Sequence, residues 1–277
     1  MSNLRIITSN AADAATLTAD PVMASGLPVT NLQNATRARM ARSTGVVDQD
    51  IKLEFDYARV LTSCALLRHN LTSSATWRLR LYSDQAWTDE VYDSGELSAI
   101  ESKSLDELDW GVDPLGVSIF SDWPVAFSTL YFSAQSAMSA KITLHDPTNP
   151  DGYLQASRLF MGSHFEPVYN ATYGISLGWE DATKNTRTDG GSLRSDPTEQ
   201  WRTLDFDLSA VDPLDRTKLM EIFRKLGRSK DFFVSIFPGQ GGTKERDYTM
   251  QAKMARTNSL SLPNCSLFAS KIQLEES

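Results

Sequence analysis

Hydrophobic and polar positions alternate most regularly in residues 51–84. Ile51-Lys52-Leu53-Glu54-Phe55-Asp56 alternates, residues 59–67 form a nearly continuous apolar run, and Trp77-Arg78-Leu79-Arg80-Leu81 alternates again after a break at His69-Asn70-Leu71. Alternation with period two puts every second side chain on one buried face, whereas an unbroken apolar run marks a strand covered on both sides. Three such segments in about thirty residues, with Asn, Ser and Thr between them, predict the core strands of a compact β-sandwich.

Further strands are predicted over residues 125–132, 140–144 and 153–161, the last closing at Gly162, with 146–152 as a turn of strongly punctuating residues. The first unit therefore spans residues 1–162, and 164–167 bridge to a second unit, 163–277. Residues 173–179 and 201–208 alternate in that unit, and 232–237, 248–254 and 267–274 read as closing strands. Residues 184–197 are polar and rich in Gly, Asp and Thr, as expected of a long hairpin loop or arm. One helix is predicted, over 213–226. Asp212 caps it, Pro213 suits its first turn, Asp215 follows at capping-box distance, Leu219, Ile222, Phe223 and Leu226 form its apolar stripe, and Gly227 ends it. The first fifty residues read as extended and irregular. Residues 27–32 are expected to be extended chain followed by a turn, and Arg37, Arg39 and Arg42 to alternate along an edge strand. The fold class is mainly β: an N-terminal jelly-roll β-sandwich plus a C-terminal β-rich domain with one main α-helix.

Length and composition narrow the function. At 277 residues the chain fits one large or two ordinary domains, and 41% hydrophobic with 9% aromatic residues supports a real core. A net charge of −8 favours solubility and weighs against binding nucleic acid through its phosphates. No apolar run approaches the roughly 18 residues of a membrane span, and the N-terminus lacks the apolar segment of a secretory signal. Two cysteines, Cys64 and Cys265, are too few for a disulfide scaffold, and Cys64 reads as a buried thiol. The Asn-x-Ser/Thr triplets at Asn34, Asn70, Asn170 and Asn264 then read as turn chemistry, not glycan acceptors. The segment 84–122 is loop-rich and acidic, with Trp87, Val91, Tyr92 and Trp110 to pack it down.

No catalytic set emerges. His69, His145 and His164 are scattered, with no cysteine or second histidine at ligand spacing. Residues 146–152 offer oxygen ligands without the spacing and closing glutamate of an EF-hand, so a plain turn is expected. Residues 238–244 look like a phosphate cradle but lack a Gly-Lys-Ser/Thr ending that opens a helix, so a flexible hairpin loop is expected. Of the carboxylate pairs, Asp205 and Asp207 lie opposite Leu204, Phe206 and Leu208, as on a solvated strand face, and nothing marks them or Glu180/Asp181 as desolvated acids. No enzyme activity, cofactor or metal is expected; the chain reads as a protein that works by shape and contact. The helix and its exit carry Arg216, Lys218, Arg224, Lys225, Arg228 and Lys230. Cations in a last turn oppose the helix dipole, and this basic face can also meet an acidic surface of a neighbouring copy, with Arg216, Arg224 and Arg228 as candidate interface residues.

The pattern Leu66-Leu67-Arg68-His69-Asn70-Leu71 followed by Ala75-Thr76-Trp77-Arg78-Leu79-Arg80-Leu81-Tyr82 resembles the galactose-binding-like (discoidin-type) jelly rolls of bacteriophage tail proteins. Residues 26–34 and 149–162 carry the same resemblance. The C-terminal unit, with its strand at 201–208, its helix and residues 232–237, is similar to the ring-forming part of siphophage distal tail or baseplate proteins. The resemblance implies a virion structural protein of the tail tip, made in the host bacterial cytoplasm. It would form a ring, with six copies expected, that joins the tail tube to the baseplate hub or host-recognition apparatus. Its partners would be copies of itself and those tail proteins, with neither nucleic acid nor a membrane span. No sugar-contacting residue matches position by position. The alternative is a carbohydrate-binding module for host-surface glycan, for which Trp87, Trp110 and Trp123 are the only candidate contacts.

Overall fold

The computed structural model describes residues 3–263 and 266–277; Asn264, which opens the fourth triplet, and Cys265 lie outside the described residues. The protein is mainly β, built on two seven-stranded sheets and one long helix. The first sheet runs Arg158–Gly162, Gln49–Leu67, Phe127–His145, Thr76–Tyr82, Glu90–Asp93, with Thr16–Asp20 added to Gln49–Leu67 and Leu97–Ser98 to Thr76–Tyr82. The segments expected at 51–56 and 59–67 are one strand of 19 residues, and those at 125–132 and 140–144 are another. The two pair antiparallel from Gln49–Leu144 to Leu67–Phe127, and the register shifts between Glu54 and Arg59 and between Leu61 and Ser63. What reads in sequence as a gap is a bulge that exposes Asp56, Tyr57 and Ala58. Bulges bend strands, and both halves of each long strand feed one core. Ile51, Leu53 and Phe55 meet Leu61, Cys64 and Leu66 there, together with Leu79, Ile142, Leu159 and Met161.

The second sheet runs His164–Phe165, Arg5–Ile7, Phe232–Ser235, Thr249–Met254, Phe268–Glu276, Gln200–Val211, Ser176–Asp181. Its strand Arg5–Ile7 comes from the N-terminus, with Ile6 opposite Val234. Arg5–Ile7, expected in the first unit, thus lies in the second sheet, where Leu4 and Ile6 are buried among Phe165, Val234 and Phe232. Helix α1, Pro213–Leu226, has the expected limits. Asp212 accepts the Leu214 N–H at 2.9 Å, and Gly227 leaves the helix at φ 53°. Leu219, Ile222 and Leu226 bury against Leu204, Phe206 and Leu274 of the sheet.

The two sheets meet in a third cluster. Ala65, Leu67, Phe127 and Phe160 of the first sheet pack with Ile7 and Phe233 of the second, and with Ile100, Ile119 and Phe120 from the intervening loops. The unbroken apolar run 59–67 is thereby explained: Cys64 and Leu66 face the sandwich core, while Ala65 and Leu67 face the junction. Gly162 ends the strand beside them. A Cβ there would stand 2.4 Å from the Ser9 carbonyl oxygen, so the backbones pass only because position 162 has no side chain.

Three local expectations fail for tertiary reasons. Val29–Gln33, expected to be extended, is a 3-10 helix, which lets both Val29 and Leu32 reach the first core. Of the proposed arginine edge strand only Ala41–Arg42 forms, because its partner Gln155–Ala156 is two residues long. Arg37 instead donates to the Ser277 carbonyl at 3.0 Å, and Arg42 stands 4.0 Å over the Tyr153 ring. The glycine-rich 238–244 loop leads into a six-residue helix, α2, Gly242–Asp247. Its first free N–H groups are satisfied by carboxylates from the first unit: Gly242 donates to Glu101 Oε2 at 2.7 Å and Thr243 to Glu107 Oε1 at 3.1 Å.

Candidate functional site

The three histidines and the turn carboxylates are each held by hydrogen bonds or ion pairs. His69 Nδ1 accepts the Leu71 N–H at 3.3 Å, which leaves the ring proton on Nε2, 2.9 Å from Ser128 Oγ. Ser128 in turn donates to the Ala99 carbonyl at 2.5 Å. The serine therefore has no base to receive its proton, and burial pushes the His69 imidazole down to about 4. His145 pairs with Asp48 at the surface, and His164 hydrogen-bonds Thr62 Oγ1 at 2.8 Å. The three histidines thus stand in three separate networks. The Asp146 carboxylate, buried at the turn considered for calcium, accepts from Thr72 N, Thr72 Oγ1 and Asn149 Nδ2 at 2.8–3.0 Å. Asn70 lies in the same network: its amide donates to Asp151 and the Tyr153 carbonyl and accepts from Gln155 N. Asp181 accepts from Thr183 and Gln200, Asp205 accepts from Gln273, and Asp207 is exposed.

The three candidate tryptophans do not meet. Trp123 is half-buried and engaged: its ring lies edge-on to Trp179 at 5.5 Å, with the Arg246 guanidinium 4.2 Å and the Arg202 guanidinium 5.2 Å over its face. Trp87 packs edge-on to Tyr82 at 5.5 Å. Trp110 alone is open, 73% exposed, at the tip of the loop 102–118.

That loop is held stiffly. Ser102 and Ser118 form a β-bridge at its neck, and Lys103 N donates to the Val117 carbonyl at 2.8 Å. Across it, Lys103 Nζ lies 2.9 Å from Asp113 Oδ2, which also accepts the Asp109 N–H at 3.1 Å. Leu108 turns inward, while Leu105, Trp110, Val112 and Leu115 are exposed together with Asp106 and Asp109. The segment 84–122 carries eleven acidic residues against one lysine.

On α1 the three candidate arginines divide. Arg224 lies on its outer face and Arg228 just past its C-terminal end, and among the described residues no carboxylate stands within ion-pair distance of either. Arg216 sits on the flank, its guanidinium 5.2 Å over the Phe268 ring. Lys225 pairs with Glu221 at 2.7 Å, and Leu214 in the first turn and Met220 in the middle of the helix are exposed. The arm expected near 184–197 is a two-stranded hairpin, Lys184–Arg187 against Leu193–Asp196, with every residue of both strands exposed.

Two buried arginines escaped the sequence reading. Arg202 pairs with Glu276 inside the second unit. Arg158 joins Asp13, Asp231 and the Gln33 carbonyl, and so links the N-terminal segment, the first sheet and the second unit. Arg202 was detectable, because it lies in phase with Leu204, Phe206 and Leu208 on the inward face of its strand. For Arg158 the only signal is a charge next to the apolar run Leu159-Phe160-Met161.

Between the units, Trp77, Ile100, Glu101, Phe127, Gly241 and Arg246 line a small recess of about 90 Å³. Among the described residues no group of three or more His, Cys, Asp or Glu side chains is arranged to hold a metal ion. No helix is long and apolar enough to cross a membrane.

No family model matches this chain, and no curated protein matches it in sequence. Among solved structures, it is similar to chitosan-binding module 1 of a chitosanase/glucanase from Paenibacillus sp. IK-5, with 12% identity over 56% of this chain and 99% of that one, TM-score 0.39. It is similar to the lectin domain of lectinolysin complexed with Lewis B antigen, with 13% identity over 56% and 98%, TM-score 0.39. It is also similar to a Clostridium perfringens module in complex with GalNAc-β-1,3-galactose, with 12% identity over 56% and 100%, TM-score 0.37.

Proposed function

We propose that this chain works by contact and not by turnover, as a structural component that assembles with copies of itself and with neighbouring proteins. The observation that carries this reading is the arm Lys184–Arg187/Leu193–Asp196, which stands off both sheets with both strands exposed. A lone two-stranded hairpin is marginal in water, so an arm of this kind is completed by a partner. Burial and ion pairing of Arg158 and Arg202 fit the same picture of a rigid building block. The resemblance to siphophage distal tail and baseplate proteins narrows the proposal to a ring at a phage tail tip, in contact with tail tube and baseplate hub. The test replaces residues 184–196 by Gly-Gly and compares sedimentation of the variant and the parent chain. The parent is expected to form a discrete multimer, and the variant to lose it with an unchanged circular dichroism spectrum. A multimer that survives loss of the arm overturns the role given to the arm.

A second reading is glycan binding by the N-terminal unit. Trp110 favours it: an open indole face on a stapled loop, with the Asp109 carboxylate beside it, offers a stacking surface and a hydrogen-bond acceptor to a sugar. Of the similar solved structures, one is a chitosan-binding module and another a lectin domain complexed with Lewis B antigen. Titration with chitosan oligosaccharides and Lewis b tests it. Binding at about millimolar or better that Trp110→Ala abolishes supports this reading, and no heat of binding refutes it.

A further inference from the structure

We propose that the loop 102–118 of one copy docks on the outer face of α1 of a second copy. This rests on the assembly reading above and names the surfaces that meet. Both patches are open within a single chain, so neither covers the other in one molecule. Their chemistry is complementary. The loop presents Leu105, Trp110, Val112 and Leu115 interleaved with Asp106 and Asp109; α1 presents Met220 with the unpaired Arg224 one turn on, and the unpaired Arg228 follows just past the helix end.

Each patch lacks what the other supplies. Asp106 and Asp109 have no cation within ion-pair distance among the described residues, whereas Lys103 is already held by Asp113 and Lys225 by Glu221. Among the described residues, Asp106 and Asp109 on the loop, Arg216, Lys218 and Arg224 on α1, and Arg228 and Lys230 just past it take part in no ion pair. An indole among apolar side chains, rimmed by charges of one sign, is the kind of anchor that carries interface energy when it meets an apolar spot rimmed by the other sign. The loop pays little entropy on docking, because its neck bridge and the Lys103–Asp113 staple already hold its shape. The two patches are distinct, so the contact either closes reciprocally in a dimer or repeats head-to-tail into a ring or a filament, according to the rotation per copy.

The test compares sedimentation velocity of the full chain at about 0.05 and 0.5 M salt with that of three variants. These are Asp106→Lys/Asp109→Lys, Arg224→Glu/Arg228→Glu, and the chain carrying all four changes. The parent is expected to associate, more weakly at high salt. Each double reversal is expected to weaken association by about tenfold or more, and the fourfold variant to recover it. Near-ultraviolet circular dichroism verifies that the variants fold. Cross-linking of mixed isotope-labelled and unlabelled parent chains with a carboxyl–amine coupling reagent provides a readout without substitution. Inter-copy links from Asp106 or Asp109 to Lys218 or Lys230 support the contact. If the parent associates but the reversals leave it unaffected and no such links form, this interface is wrong while the assembly reading stands. If the parent never associates, both are wrong.

Discussion

Arg202 and Glu276 form an ion pair nearly sealed from solvent. Arg202 Nη2 lies 2.8 Å from Glu276 Oε1 and Nε lies 3.0 Å from Oε2, with the side chains 1% and 4% exposed. The two residues stand on adjacent antiparallel strands, and Arg202 Nη1 also donates to the carbonyls of Arg246, Asp247 and Thr249 at 3.1–3.3 Å. One guanidinium thus ties Gln200–Val211 and Phe268–Glu276 to the end of α2. Burial raises the Glu276 pKa, but the hydrogen bonds and charge of Arg202, with the charge of Arg37, outweigh it and hold the carboxyl below its usual value.

Removing Arg202 leaves the buried Glu276 carboxylate without the guanidinium's hydrogen bonds and with only Arg37, 3.8 Å away, as counter-charge. Arg202→Met is therefore expected to lower the unfolding free energy by about 3–5 kcal/mol, and Arg202→Met/Glu276→Met by less than the single change. Urea unfolding measures both. A double variant less stable than Arg202→Met contradicts this account of the pair.

Acid should act in two steps. Burial holds the folded His69 near 4, so the unfolded chain takes up a proton that the native state refuses. The stability linked to His69 is complete above about pH 6.5 and drains away between there and about pH 4. Glu107 is held down to about 2, chiefly by its hydrogen bond from the Thr243 side chain. The stability it contributes is present above about pH 4.5 and is lost as pH falls toward 2. In urea unfolding across pH, His69→Gln should flatten the upper step and leave the lower one. An upper slope that survives the substitution rules out His69 as its source.

Phe233 carries the junction between the sheets. Its ring centroid lies 6.3 Å from that of Phe127 and 6.0 Å from that of Phe160. Phe233→Ala is expected to cost about 3–5 kcal/mol and to speed hydrogen exchange in Arg5–Ile7 and Phe232–Ser235 before the sandwich core is affected. Uniform acceleration across both sheets would show that the junction is not the weaker seam.

Much of this architecture can be read in the chain, and the exceptions have a common cause. The apolar run 59–67 announces a doubly covered strand without naming its second cover, which is Phe233 and Ile7 from the distant ends of the sequence. Local caps sufficed for α1, since Asp212 and Gly227 act within one turn of it. They did not for α2, whose caps Glu101 and Glu107 lie more than 130 positions away. Of the candidate site residues, Trp110, Arg224 and Arg228 are open as a contact surface requires. Trp123 and Arg216 are engaged by partners that no periodicity reveals, Trp179 with two arginines in one case and Phe268 in the other. Loop 102–118 became legible as a unit only once the Lys103–Asp113 staple and the neck bridge were seen.

Native mass measurement of the full chain over a wide concentration range tests the central claim most directly. Assembly through matched surfaces predicts one discrete multimer of the 30.7 kDa chain that gives way to protomer on dilution or at high salt. A protomer that stays single at every concentration and salt would contradict it.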